Sequence, residues 1–153
     1  MFGESYIIPR LQLCIDNLEK QGVSLILFLC TGEFPAEFRS NVPLIFPDHI
    51  LKGLIPAIGV KNLSVIIPAK AQAEQMPEKW KDCCDSLHIT PVSPYGDPQA
   101  VFEAAKDIPA DTDLILLDCI GYTIEMKERI QALTQKPVLL SRTLVARVIR
   151  ELA

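Results

Sequence analysis

The chain has 153 residues, 49% hydrophobic and 22% charged, the balance of a sequence that buries a core rather than of a disordered, collagen-like or coiled-coil chain. A net charge of −4 provides no basic field to draw it onto nucleic acid. The longest apolar runs, 25–30 and 114–117, fall far short of the ~20 residues that span a bilayer, and Glu4 and Arg10 flank too short an apolar stretch for a secretory leader, so a cytoplasmic protein is the expectation.

In chain order, Ile7, Leu11, Cys14, Ile15 and Leu18 recur at helical spacing before the stop signal Gly22. Residues 23–31 (VSLILFLCT) are continuously apolar, the pattern of a strand buried on both faces. A short strand is expected at 42–46 between prolines, then a helix capped by Asp48 and running through Ile58. Residues 63–67 (LSVII) form the next buried strand, and 69–82 a weaker helix interrupted by Pro77. A strand at 89–93 ends in the turn Pro94-Tyr95-Gly96-Asp97-Pro98, whose last two residues suit a helix cap and first turn, with that helix reaching about Asp107. Residues 113–119 (DLILLDC) form the third buried strand, and Thr123 caps a helix to Leu133. A strand at 137–140 and a helix capped by Ser141 and running through Leu152 close the chain. Strands alternating with helices imply an α/β protein with a mostly parallel sheet.

Five cysteines occur, at 14, 30, 83, 84 and 119. An odd number without a secretory leader argues against a disulfide framework. No CxxC pair exists, and His49 and His88 lie away from useful ligand spacing, so no metal site is expected. Cys14 is expected in the core on the apolar helix face, and Cys83 and Cys84 are read as structural. The nucleotide-binding glycine motifs and the nucleophile elbow are absent.

The sequence carries a weak internal echo. Residues 25–31 (LILFLCT) and 114–119 (LILLDC) are apolar strands that end at a cysteine, each with a glycine two positions on, Gly32 and Gly121. Ligands of open α/β folds bind beyond the carboxyl ends of strands. Glycine there lets backbone approach a ligand and frees N–H groups for an anion or a thiolate. Two such cysteines facing across a cleft form an acid and base pair, Cys30 and Cys119, for proton transfer at a carbon beside a carboxylate. Free cysteine as a small buried hydrophobe is the competing reading. Thr31 and Gly32 after the first cysteine, Arg39 and Asn41 further on, Gly121 and Tyr122 after the second, and Ser141, Arg142 and Thr143 at the last helix N-terminus are candidate substrate contacts. Asp118 points to the strand face opposite Cys119 and reads as a cap or an ion-pair partner.

Four segments, 8–14 (IPRLQLC), 29–35 (LCTGEFP), 117–123 (LDCIGYT) and 137–146 (PVLLSRTLVA), together with Tyr95-Gly96, resemble the AroM family. More distantly, through Cys30 and Cys119, the chain resembles the Asp/Glu/hydantoin racemase superfamily. The resemblance implies a three-layer fold of two pseudo-related, racemase-like lobes, 1–58 with 136–153 and 59–135. It also implies a cofactor-independent racemase or isomerase acting on a small carboxylate or amino acid, or else a non-enzymatic small-molecule binder or regulator in aromatic amino-acid metabolism. Family members carry a further strand and a Gly-Gln-Ser-Pro-Arg-like loop upstream; here Met1-Phe2-Gly3 leads directly into the first helix. The first lobe is thus expected to lack its N-terminal strand, and a homodimer is expected to cover the exposed face.

Overall fold

The first apolar segment forms a helix, α1 (Glu4–Lys20), that ends where Gly22 takes a φ of +78°, a conformation open to glycine. In this computed structural model residues 4–34 and 37–152 are described, with side chains from residue 7 onward. Pro35 of the resemblance and the opening Met1-Phe2-Gly3 lie outside the described residues. The run 23–31 is not the doubly buried strand its apolarity suggests. Only Ile26–Leu27 (β1) is laddered, in parallel with Leu44–Ile45 (β2). Ile26 and Phe28 point inward and Leu29 is 72% exposed. A narrow sheet covered on one face can only alternate. Its inner face packs Ile15, Leu11 and Leu18 of α1 against Ile26, Phe28, Phe34, Phe38 and Phe46.

Cys14 is exposed rather than in the core. It does lie on the apolar side of α1, but two strands are too few to cover that side, and Cys14 instead edges an open apolar groove with Leu27, Leu29 and Phe34. Helix α2 (Pro47–Ala57) opens with a proline where no N–H is needed. Its cap position is Phe46, so Asp48 is not the cap; it sits buried in the first turn, where the helix dipole favours an anion.

The remaining strands, β3 (Asn62–Ile67), β4 (Ser86–Pro91), β5 (Leu114–Leu117) and β6 (Val138–Leu140), make one parallel sheet in the order β4-β3-β5-β6. Strand alternation sends Ile66, Ile115 and Leu117 to one face and Leu63, Val65, Ile67, Leu114 and Leu116 to the other. Helices α4 (Pro98–Ala104) and α5 (Ile124–Thr134) cover the first face, with Val101, Phe102, Met126 and Ile130. The second is covered by α2, by α3 (Met76–Trp80) and by Leu144 of α6 (Ser141–Leu152). The result is an α/β fold of parallel sheets flanked by helices. Each Leu or Ile so buried contributes ~2 kcal/mol.

The expected caps divide. Asp97 accepts from the Gln99 N–H at 2.9 Å and Thr123 from the Met126 N–H at 3.2 Å, as their positions require. Ser141 instead is the first residue of α6, fully buried, and its hydroxyl donates to the Leu117 carbonyl at 2.5 Å. The weak helix expected at 69–82 is a 3₁₀ segment, Lys70–Gln75, followed by the short α3 with Pro77 in its first turn. The closing segment is the one grouped above with 1–58. Its strand pairs with β5, whereas α6 packs on α2. Among the described residues no helix is long and apolar enough to cross a membrane.

Candidate functional site

A cleft of about 600 Å³ lies beyond the carboxyl ends of β1 and β5, where open α/β sheets bind ligands. The turn after β1 lines it with Cys30, Thr31, Gly32 and Glu33. The turn after β5 adds Asp118, Cys119 and Ile120, α3 adds Lys79, and the turn after β4 adds Tyr95.

The two cysteine turns share one local geometry. The Gly32 N–H donates to Cys30 Sγ at 3.3 Å, and the Gly121 N–H donates to Cys119 Sγ at 3.3 Å. In both, an N–H two residues on folds back onto the sulfur. Gly121 has a second role. A β-carbon at this position would stand 2.5 Å from Tyr95 Oη and 2.7 Å from its Cζ. Only glycine lets the Tyr95 ring lie against the turn beside Cys119. The neighbouring Cys119 pushes the Tyr95 phenol up from its ordinary value, while the Arg142 charge opposes it.

Beneath the cysteines lies a buried ion pair. Lys79 Nζ donates to Asp118 Oδ2 at 2.6 Å and to the Thr31 carbonyl at 2.8 Å. The Thr31 hydroxyl donates to the Asp118 carbonyl at 3.1 Å. Asp118 thus forms an ion pair, the second of its expected roles. Burial pushes its carboxyl up, Lys79 pulls it down, and the nearby Asp48 adds to the rise. Asp118 Oδ1 is buried without a hydrogen-bond partner.

Of the residues singled out from the sequence, Cys30, Thr31, Gly32 and Cys119 line this cleft, and Gly121 backs it. Others lie elsewhere. The Arg39 backbone exchanges hydrogen bonds with the Gln12 side chain of α1. Asn41 donates through its backbone and side chain to Glu19. The buried Tyr122 hydroxyl donates to the Val92 carbonyl at 2.7 Å, and burial pushes its phenol far up. Ser141 and Thr143 bond strand-end carbonyls, and Arg142 is exposed outside the cleft lining. Cys83 is buried and Cys84 half-buried beside Trp80 in the second core. Sequence reasoning missed Lys79, whose partners lie 39 and 48 residues away. Tyr95 entered as part of a turn and of the family resemblance, with no role at the site. Among the described residues no three His, Cys, Asp or Glu side chains gather as a metal site.

The profile of a family described as AroM protein matches residues 1–153. Among curated proteins none matches. Several solved structures share the fold. Arylmalonate decarboxylase is 18% identical with a TM-score of 0.70, over 92% of this chain and 72% of its own. Allantoin racemase from Klebsiella pneumoniae is 15% identical with a TM-score of 0.66, over 93% and 64%. Glutamate racemase from Thermus thermophilus is 18% identical with a TM-score of 0.62, over 98% and 65%. This chain is similar to racemases and a decarboxylase in fold.

Proposed function

The chain belongs to the AroM family, and from that premise we propose that it is a cofactor-independent racemase or isomerase of a small carboxylate or amino acid, with Cys30 and Cys119 as its acid and base. One observation carries the reading: two strand-end cysteines, each with an N–H two residues on folded onto its sulfur, line one cleft. One thiolate takes the proton from the carbon beside the substrate carboxylate, and the electron pair left behind delocalises into that carboxylate. The other thiol returns a proton to the opposite face of the carbon. The substrate's atoms are conserved, and the two sulfurs exchange protonation states. The Gly32 and Gly121 N–H groups stabilise whichever sulfur carries the charge, and Thr31, beside Cys30, is held by its bond to Asp118. The fold likeness to racemases supports this assignment. Five free cysteines suit a reducing, cytoplasmic setting. The exposed Leu29 beside the apolar groove suits self-association as a homodimer.

The test is exchange of the α-proton for solvent deuterium over a panel of amino acids and small carboxylates. The native chain is expected to exchange at least one member, and Cys30→Ser and Cys119→Ser each to slow that exchange about a hundredfold or more. A native chain that exchanges none of the panel, yet binds a member, is a small-molecule binder and not an enzyme of this kind.

A further inference from the structure

The two cysteine turns belong to different sheets. Cys30 follows β1 of the two-stranded sheet and Cys119 follows β5 of the four-stranded one, and among the described residues no strand ladder joins the two sheets. Their relative position therefore depends on what lies between them. Three hydrogen bonds do, and they converge on residues directly adjacent to the cysteines. Lys79 Nζ bonds the carbonyl of Thr31, the residue after Cys30, and the carboxylate of Asp118, the residue before Cys119. Thr31 Oγ1 closes the triangle onto the Asp118 carbonyl. The Lys79 and Asp118 side chains are 4% and 2% exposed.

We propose that Lys79 is a positioning residue shared by both cysteines: one buried ammonium ties the two turns together and places a single positive charge within one residue of each sulfur-bearing residue. The inference rests on the proton-transfer reading above for its purpose, though not for its test. Apolar side chains would join two packed regions at less desolvation cost than a buried ion pair, and a pair of this kind is kept where geometry must be specified. Lys79 is also among the residues that line the cleft. The ammonium lies against the backbone flanking both sulfur-bearing residues, and its partner Asp118 offsets part of its charge.

The experiment is iodoacetamide alkylation of the full chain across a pH series, with Cys30, Cys119 and Cys14 resolved by peptide mapping. Removing the ammonium in Lys79→Met is expected to slow alkylation of both Cys30 and Cys119 about tenfold near neutral pH, moving both profiles to higher pH. Asp118→Asn, which leaves the ammonium uncompensated, is expected to move both profiles to lower pH. Cys14, on α1 and away from the Lys79 pair, serves as the internal reference against which the other two rates are compared from variant to variant. Simple loosening of the fold would uncover the half-buried Cys119 and act in the same direction in both variants, so the opposite signs separate positioning from bulk stability. Lys79→Gln, which can still donate to Thr31 or Asp118, carries the same expectation as Lys79→Met should the latter fail to fold. Profiles of Cys30 and Cys119 that stay within about twofold of native in a folded Lys79 variant, or that shift the same way in the Lys79 and Asp118 variants, overturn the proposal. Absent deuterium exchange with shifted profiles defeats the racemase reading alone. Exchange with unshifted profiles defeats only the role given to Lys79.

Discussion

The region around β1 and β2 and the region around the four-stranded sheet solve the same problem with unequal means. In the larger region every residue of β5 is buried, and helices lie on both faces of the sheet. In the smaller, two strands of two residues are covered on one face only, and the load passes to phenylalanines. Phe28, Phe34, Phe38 and Phe46 meet with ring centroids between 4.5 and 6.3 Å apart. Such rings bury much area with little backbone order. Polar pins complete the region. Glu19 accepts from the Ser40 hydroxyl at 2.6 Å and from the Asn41 backbone N–H at 2.6 Å, and Gln12 holds the Arg39 backbone. One half of the cleft thus stands on a ladder-built floor and the other on a side-chain-built one.

The strongest way to break this comparison is to cut each core once. Leu116→Ala, fully buried between β3 and β6, is expected to cost about 3 to 4 kcal/mol of global stability in urea titration. Phe28→Ala is expected to cost about 2 kcal/mol, because a half-open cluster collapses more easily around the gap. Its main sign should be faster hydrogen exchange of Ile26 and Phe28 amides while Leu116 stays protected. Equal slowing or quickening in both regions would show that they unfold as one unit.

Next in size is the open apolar edge. Light scattering of the native chain at micromolar concentration is expected to give a dimer, and Leu29→Glu to shift it to monomer. A native monomer would show that the small region closes on itself.

The smallest effect belongs to the pins. The Ser40 hydroxyl, then the Asn41 N–H and side chain, hold the Glu19 carboxyl below its ordinary value. A carboxylate with a depressed folded value adds stability that is present above its unfolded value and lost as pH falls through the folded one. Acidification through that range should therefore free residues 40–42 from α1, read as faster amide exchange of Asn41 and Val42. Glu19→Gln should show the faster exchange already at neutral pH. An acid-insensitive Asn41 amide would remove Glu19 from the account.

What the sequence made legible follows the same division. Caps and turns whose partners lie within four residues, Asp97 with Gln99 and Thr123 with Met126, were readable because local spacing determines them. The α/β class was readable because β3 and β5 are buried on both faces and so mostly apolar. The run 23–31 carried the same apolar signature, yet hydropathy cannot tell how many neighbours a strand will have, and with a single ladder partner Leu29 faces outward. Cys14 failed for the same reason. Strand-end position picked out Cys30 and Cys119 as cleft residues. It could not pick out Lys79, because nothing near residue 79 signals partners that only the fold brings within reach.

The buried ammonium also has an optical consequence. Lys79 Nζ lies 4.9 Å over the ring of Trp80, the chain's single tryptophan, which is itself fully buried. A cation over one side of an indole changes the energy of its excited state, so the emission colour of this protein is tied to where that charge sits. The cleft therefore comes with its own dye: a compound that enters and draws the ammonium toward itself announces its arrival as a spectral shift, with no label and no coupled assay, whatever reaction the cleft performs.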